Sequence, residues 1–136
     1  MRKDFSKRGF TLIELMVVVI IIAALAGMVL PRLLPASTEA KRNISKGDIA
    51  NITVAIKLYR LHNDQYPEKL QDLTGQPASA ENWHGPYLEK DPVDPWGKIY
   101  EYKHPGTHNT AGFDLWSAGP DKESGTADDV TNWNTD

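Results

Sequence analysis

Hydrophobic residues are distributed very unevenly along the chain. A run from Leu12 to Leu30 is almost purely apolar, and its length is close to the roughly 20 residues that a helix needs to span a bilayer. No cluster of turn residues interrupts the sequence after Pro35, so the pattern predicts one long helix from Phe10 to about Asn63. Pro31 and Pro35 should bend or loosen that helix, because each removes a backbone hydrogen bond.

Beyond Pro35 the predicted helix becomes amphipathic. Apolar side chains recur at i, i+3, i+7 and i+10, and this stripe comprises Ile49, Ile52, Ile56 and Tyr59. Polar residues such as Asn51, Lys57 and Arg60 lie on the other sides of the helix. The stripe therefore predicts the face that packs against a C-terminal domain. A coiled-coil seam fits less well, because the pattern lasts for too few heptads.

The C-terminal half predicts a small antiparallel sheet. Residues Pro67–Leu73 suit a short helix with proline in its first turn. Residues Lys98–Tyr102 and Phe113–Ser117 alternate between polar and apolar side chains, so we expect two paired strands. The predicted fold class is α+β, with a long N-terminal helix packed on a small antiparallel sheet.

Composition narrows the possible functions. Behind the apolar run, the chain can form about one small domain of roughly 100 residues. The chain has no cysteine, so packing, a metal or neighbouring subunits must stabilise this domain in place of a disulfide. The net charge of −3 offers no basic face for nucleic acid. Neither a nucleophile elbow nor a phosphate-binding glycine loop nor a metalloprotease helix occurs in the sequence, and we therefore do not expect an enzyme.

The N-terminus combines a short basic leader with one charged residue inside the apolar run that follows it. The leader, Met1–Gly9, ends at glycine, and a lone carboxylate, Glu14, follows five residues later inside the apolar run. A charge in the apolar part of a membrane segment costs roughly 2.5 to 3.5 kcal/mol, so we expect Glu14 to be functional and to need a cation. An ordinary secretory signal cut after Ala24-Leu25-Ala26 and a simple membrane anchor are the alternative interpretations.

This leader and the apolar segment behind it resemble the N-termini of type IV pilins and pseudopilins. The resemblance implies a class III leader over residues 1–9, which a prepilin peptidase removes between Gly9 and Phe10 before it methylates the Phe10 amino group. It also implies that Glu14 acts in assembly. Residues 10–35 would be the transmembrane and later filament-core half of the helix, and residues 36–136 a periplasmic globular domain. The basic leader itself predicts a cytoplasmic N-terminus.

Motifs in the C-terminal half make the resemblance more specific. They occur in the order Gly85-Pro86-Tyr87-Leu88, Asp94-Pro95-Trp96-Gly97 with Tyr100 and Tyr102, Phe113-Asp114-Leu115-x-Ser117-x-Gly119-Pro120-Asp121, Asp128-Asp129 and Asn132-Trp133. In this order behind a class III leader, they resemble the major pseudopilin of type II secretion systems over nearly the whole chain. Lys122 stands where that family often has a glycine.

The resemblance implies a type IV pilin-like fold and a structural role. The chain would be the major subunit of a periplasmic filament, the pseudopilus, which drives export of folded proteins across the outer membrane. Implied partners are further copies of the chain, minor pseudopilins, the prepilin peptidase, the inner-membrane assembly platform and, before assembly, the lipid of the bacterial inner membrane. A minor type IV pilin or DNA-uptake pseudopilin, and a membrane-anchored periplasmic binding module, are the alternatives.

An acidic loop near the C-terminus carries candidate metal ligands. Its aspartates, serines and threonines lie among glycines, and such hard oxygen donors suit a calcium ion with about 6 to 8 ligands, although a solvated acidic tail has the same composition. The resemblance favours calcium as the cofactor. It implies side-chain ligands from Asp121, Thr126, Asp128 and Asp129 and main-chain carbonyls from Ala118 and Glu123. Zinc is not expected, because no recognisable ligand spacing relates His62, His84, His104 and His108.

Overall fold

The computed structural model describes residues 9–133, without the side chains of residues 29–36. The chain divides into two compact units, Met1–Ser37 and Thr38–Asp136. Helix α1 spans Leu12–Asn63 and contributes residues to both units. The long predicted helix is confirmed, and its helical backbone continues through Pro31 and Pro35. The expected bend at these prolines stays a prediction, and most of the predicted leader lies outside the described residues.

The first half of α1 presents its apolar side chains to the outside. Phe10 is 87% exposed, and the large apolar side chains from Leu12 to Met28 are 47–77% exposed. This is the reverse of the burial expected for a helix within a globular core.

Among the residues and side chains that the structure describes, no helix has the length and the hydropathy that crossing a bilayer requires.

In the second unit, the predicted apolar stripe of α1 is confirmed as the core face. Its four residues are at most 6% exposed, whereas Asn51, Lys57 and Arg60 are exposed. The stripe packs in one cluster with Leu73, Tyr100 and Leu115, among others. A hydrogen bond also joins this helix to Tyr100, which precedes the sheet in the sequence. The Tyr100 hydroxyl donates to a carboxylate oxygen of Asp48 at 2.9 Å.

The sheet has three short antiparallel strands in the order β1, β2, β3. They span Glu101–Lys103, Asp114–Ser117 and Val130–Thr131. The predicted pairing of the first two is confirmed, with Tyr102 opposite Leu115. β3 pairs with β2 through Ser117 and Val130, and we did not predict this strand.

Two predicted segments are shorter than expected. β1 begins at Glu101 instead of Lys98, because the residues before it pair with the preceding turn: Tyr100 N–H donates to the Pro92 carbonyl at 3.2 Å. The helix expected over Pro67–Leu73 is a 3₁₀ turn at Leu70–Leu73. The buried Asp72 carboxylate accepts hydrogen bonds from the N–H groups of Glu68 and Lys69, at 2.9 and 3.1 Å, and so satisfies the donors that precede this turn.

Candidate functional site

The first candidate site is the start of α1, around Glu14. The Thr11 N–H and the Thr11 hydroxyl both donate to Glu14 Oε2 at 3.1 Å, and the Glu14 N–H donates to the Thr11 hydroxyl oxygen at 3.2 Å. These reciprocal bonds form a capping box, which satisfies backbone donors that a helix leaves unpaired at its N-terminus. Within one chain, the carboxylate of Glu14 is therefore engaged by its own helix end.

The sequence analysis did not predict that Glu14 caps its own helix. The signal was present as Thr11-Leu12-Ile13-Glu14, which has the threonine-to-glutamate spacing of a capping box. Gly9 and Phe10, the predicted cleavage and methylation residues, are both exposed immediately before it. Their exposure agrees with access by a peptidase, but the processing itself stays a prediction.

The second candidate site is the acidic loop between β2 and β3, residues 118–129. The sheet holds both of its ends, because Ser117 and Val130 are paired in the register of the two strands. At the loop entrance, Gly119 has a φ of +67°, and a Cβ on it would lie 2.5 Å from the Asp128 carbonyl oxygen. Only glycine fits this close approach, so the loop doubles back on itself tightly at this point.

The hydroxyl of Thr126 lies at the centre of the predicted ligand set. It donates to one acceptor at a time, and three oxygens surround it: the Glu123 carbonyl at 3.1 Å, Asp128 Oδ1 at 2.6 Å and Asp129 Oδ1 at 3.4 Å. The structure thus brings four predicted ligands to one place. Gly125 N–H donates to the other oxygen of Asp129 at 2.8 Å.

The remaining two predicted ligands are placed differently. Asp121 N–H donates to Asp128 Oδ2 at 3.3 Å, while Asp121 Oδ1 accepts from the Glu123 N–H at 2.8 Å. Asp121 therefore lies at the edge of the group. Ala118 is fully buried at the loop entrance, and no hydrogen bond in the described part of the chain joins its carbonyl to Thr126. The complete ligand set stays a prediction.

Hydrogen bonds within the loop favour the ionised form of Asp128. The Thr126 hydroxyl bond lowers the pKa of Asp128, and the Asp121 N–H lowers it further against the opposing effect of burial. Within residues 9–133, no three His, Asp or Glu side chains form a ready metal cluster by themselves. Any cation in this loop would therefore depend on carbonyl and hydroxyl oxygens together with the carboxylates.

A polar network attaches the outer side of the loop to β1. Lys98 Nζ donates to Glu101 Oε1 at 2.7 Å and to the Lys122 carbonyl at 3.2 Å. The Ser124 hydroxyl donates to the same Glu101 oxygen. Lys122 itself has a φ of +62°, in the left-handed region that favours glycine. This backbone conformation explains why the family that the sequence resembles often has a glycine where this chain has Lys122. Sequence analysis had not connected Lys98 or Glu101 to the loop.

The Asp94-Pro95-Trp96-Gly97 turn supports the inner side of the loop. The buried Asp94 carboxylate accepts from the N–H groups of Trp96 and Lys98, at 3.0 and 2.8 Å, and from the Ser117 hydroxyl at 2.5 Å. The Ser117 oxygen in turn accepts from the Gly119 N–H at 3.1 Å. The motif residues therefore form one hydrogen-bonded chain from the turn to the loop entrance.

This architecture, with a long N-terminal helix and a small antiparallel sheet in the second unit, defines the class of type IV pilin-like proteins. The crystal structure of the major pseudopilin from the type 2 secretion system of enterohaemorrhagic Escherichia coli is similar, with a TM-score of 0.67 and 30% sequence identity. The match covers 74% of this chain and 89% of that one. The predicted fold class is thereby confirmed.

Two family models match the chain: type II secretion system (T2SS), protein G, over residues 32–133, and the prokaryotic N-terminal methylation motif, over residues 4–30. The chain belongs to the type II secretion system protein G family. The core protein G of Escherichia coli K12 is 41% identical over 140 residues, covering 98% of this chain and 95% of that protein. The core protein G of Pseudomonas aeruginosa is 44% identical over 139 residues, covering 94% and 96%.

Proposed function

We propose that this chain is the major structural subunit of a type II secretion pseudopilus, a periplasmic filament that drives export of folded proteins across the outer membrane. One observation carries the proposal beyond family membership. The large apolar side chains from Phe10 to Met28 are 47–87% exposed. A soluble monomer rarely leaves so large a continuous apolar surface uncovered.

Two different environments would cover that surface in turn. Before assembly, residues 10–35 would lie in the inner membrane, crossing it once, with the C-terminal domain in the periplasm. After assembly, the same helices would pack together in the filament core. Partners at these stages would be the prepilin peptidase, the inner-membrane assembly platform, minor pseudopilins and further copies of the chain. The role is structural, and the chain would be a peptidase substrate instead of an enzyme.

Glu14 would contribute to the second of these stages, the assembly of the filament. Within the part of the chain that the structure describes, both hydrogen bonds that the Glu14 carboxylate accepts use Oε2. Oε1 could therefore receive a second donor while the capping box persists. Cleavage between Gly9 and Phe10 would create a charged amino group, and the Phe10 amino group of an adjoining copy would then neutralise Glu14 in the apolar core.

Calcium would stabilise the acidic loop. Three predicted ligands already lie around the Thr126 hydroxyl, which is the fourth, and together they mix a carbonyl, a hydroxyl and carboxylates, which is the donor set that calcium prefers. Asp121 and the Ala118 carbonyl would complete the coordination after a local adjustment. A calcium ion would supply charge neutralisation at the end of a domain that has no disulfide.

The decisive experiment follows processing and assembly of the full chain in cells that supply the other secretion components. Intact mass should show a mature protein that begins at N-methyl-Phe10, and shearing should release filaments. A mature chain that begins at Gly27 would mean an ordinary secretory signal. An uncut chain that yields no filament would favour a membrane-anchored binding module instead.

A further inference from the structure

Two histidines that are far apart in sequence meet at the C-terminal end of α1. His62 lies in the last turn of that helix, and His84 lies in the loop that follows the 3₁₀ turn. Their ring centroids are 4.9 Å apart, with 56° between the ring planes. His84 is exposed and His62 is half-buried, so solutes can reach the pair.

Both rings are held through their Nδ1 atoms. His84 Nδ1 lies 2.7 Å from the Asn82 carbonyl oxygen, which can only accept, so Nδ1 carries the proton and Nε2 of the neutral ring has a free lone pair. His62 Nδ1 lies 2.9 Å from the Tyr87 hydroxyl. Ligating histidines in metalloproteins are oriented in this way, with one nitrogen on a protein oxygen and the other on the metal.

Tyr87 fixes the two histidines relative to each other. Its hydroxyl oxygen accepts from the His84 backbone N–H at 3.1 Å while contacting His62. Its ring is held by an edge-on contact with the buried Tyr59 and another with Trp83. The backbone of Tyr87 is also anchored, because its N–H donates to the Leu73 carbonyl at 2.8 Å. Tyr87 therefore anchors the histidine pair to the core of the second unit.

The separation of the rings suits a shared cation. Two imidazoles bound to one tetrahedral zinc, at about 2.1 Å for each bond, place their ring centres about 5 Å apart. The observed 4.9 Å agrees with this spacing.

We propose that His62 and His84 form a binding site for one borderline divalent cation of the zinc, copper or nickel type. Each ring would ligate through Nε2, and water would fill the remaining positions. In the liganded pair, His62 Nδ1–H would donate to the Tyr87 oxygen. This site is distinct in chemistry from the acidic loop, since imidazole nitrogens favour such cations and carboxylate, carbonyl and hydroxyl oxygens favour calcium.

Calorimetric titration of the mature full chain in detergent with zinc chloride tests this site. Excess calcium is kept present so that the acidic loop does not take up zinc. We expect saturable binding of one zinc per chain, weakened at least about tenfold by His84→Gln or His62→Gln. Tyr87→Phe keeps the ring but removes the hydroxyl, so it should weaken zinc binding by about tenfold as well.

Two comparisons keep the test specific. His104→Gln is the matched control, because the His104 ring lies on Tyr66, 4.3 Å between centroids, and takes no part in the pair; its zinc affinity should equal that of the wild type. Thermal melts without zinc check that each variant is folded, and the exposed position of His84 makes His84→Gln the safest one. The proposal is wrong if wild type binds no zinc, or if the double variant His62→Gln/His84→Gln binds it with unchanged affinity.

Discussion

The Ser117 hydroxyl donates a hydrogen bond across 2.5 Å to the buried carboxylate of Asp94. Ser117 is the last residue of β2, and Asp94 opens the Asp-Pro-Trp-Gly turn 23 residues earlier. The same serine oxygen accepts from Gly119 at the entrance of the acidic loop. One side chain therefore connects the turn, the central strand and the candidate cation site.

Replacing Ser117 by alanine should destabilise the second unit. The Asp94 carboxylate would keep two backbone donors but lose its hydroxyl partner, and a hydrogen bond to a charged group contributes about 1.5 to 3 kcal/mol. We expect a loss of this size in the unfolding free energy of a fragment of residues 38–136, measured by urea denaturation. Ser79→Ala, at an exposed serine, is the control and should change little. Equal stability of the two variants would show that the Ser117–Asp94 bond contributes nothing.

Asp114 should make the stability of this unit depend on pH in the acid range. Burial raises the pKa of Asp114, but the backbone N–H groups of His108, Asn109 and Thr107 outweigh burial, and the net pKa is lowered. His108 Nδ1, 3.1 Å away, is a titratable group that faces this carboxylate. A lowered folded pKa means that the ionised form stabilises the fold above the unfolded pKa of about 3.9, and that this contribution is lost as pH falls through the folded value.

Urea denaturation between neutral pH and the acid range measures this contribution. Asp114→Asn should be less stable than wild type at neutral pH, because an amide offers fewer acceptors to the three N–H donors. The gap between the two proteins should narrow as the pH falls below about 4. A gap that stays constant with pH would mean that the charge of Asp114 does not contribute.

Glu14 caps its own helix and, in our proposal, also pairs with the Phe10 amino group of an adjoining copy, and three substitutions distinguish these roles. Glu14→Ala removes both the cap and the charge, so it should be processed but assemble poorly. Glu14→Gln keeps an acceptor for the capping box and removes only the charge, whereas Thr11→Ala does the opposite. If pairing with the Phe10 amino group drives assembly, Glu14→Gln should fail like alanine and Thr11→Ala should assemble nearly normally.

Sheared-filament yield and secretion of a reporter exoprotein are the measurements for these variants, with intact mass as the check on processing. Glu39→Ala, at an exposed glutamate in the second half of α1, serves as the control. Normal filament yield from Glu14→Gln would assign the residue to helix capping alone.

Lys122→Gly should stabilise the second unit. Lys122 has a φ of +62°, and the left-handed conformation costs a residue with a Cβ about 1 to 2 kcal/mol. Glycine avoids this cost but loses more entropy on folding, about 0.5 to 1 kcal/mol, so we expect a net gain of up to about 1.5 kcal/mol. The contact from Lys98 is kept because it reaches the Lys122 backbone carbonyl. Lys90→Gly, at an exposed lysine, should lower stability, and a similar loss at Lys122 would contradict the prediction.

The elements that depend on local periodicity could be predicted from the sequence, whereas those that depend on tertiary contacts could not. The buried stripe of α1 follows from apolar spacing alone, and the paired strands β1 and β2 follow from alternation. The strand β3 has two residues beside an acidic loop, too short for any alternation to be visible. The pairing of His62 with His84 has no spacing signature, because a helix end and a distant loop supply one residue each.

The candidate cation site shows the same division. Its carboxylates and the glycines beside them indicated a loop of hard oxygen donors, and the family resemblance implied the individual ligands. The central position of the Thr126 hydroxyl could not be predicted from the sequence, because it depends on how the loop folds back at Gly119. The support from Lys98 and Glu101 likewise comes from β1 and the turn before it, outside the loop itself.

Calcium should raise the stability of the second unit. Asp128 and Asp129 both lie against Thr126, so without a cation two carboxylates face one hydroxyl that can donate to only one of them at a time. An ion that binds only the folded form adds about 2.7 kcal/mol at a hundredfold excess over its Kd. Chelation should therefore lower the melting temperature of the 38–136 fragment and make the loop sensitive to proteases. Magnesium should rescue poorly, because it demands a stricter octahedral geometry.

Substitutions in the loop and thermal melts with and without chelator complete this test. Asp128→Ala should melt like chelated wild type and should no longer respond to chelator, since little bound ion would remain to be removed. Thr126→Val should reduce the response to calcium, because it removes the hydroxyl around which the other ligands meet. Glu89→Ala, at an exposed carboxylate outside the loop, should respond to calcium like the wild type. If chelator leaves the wild-type melting temperature unchanged, the loop is a solvated acidic segment, and the proposed ligands are wrong.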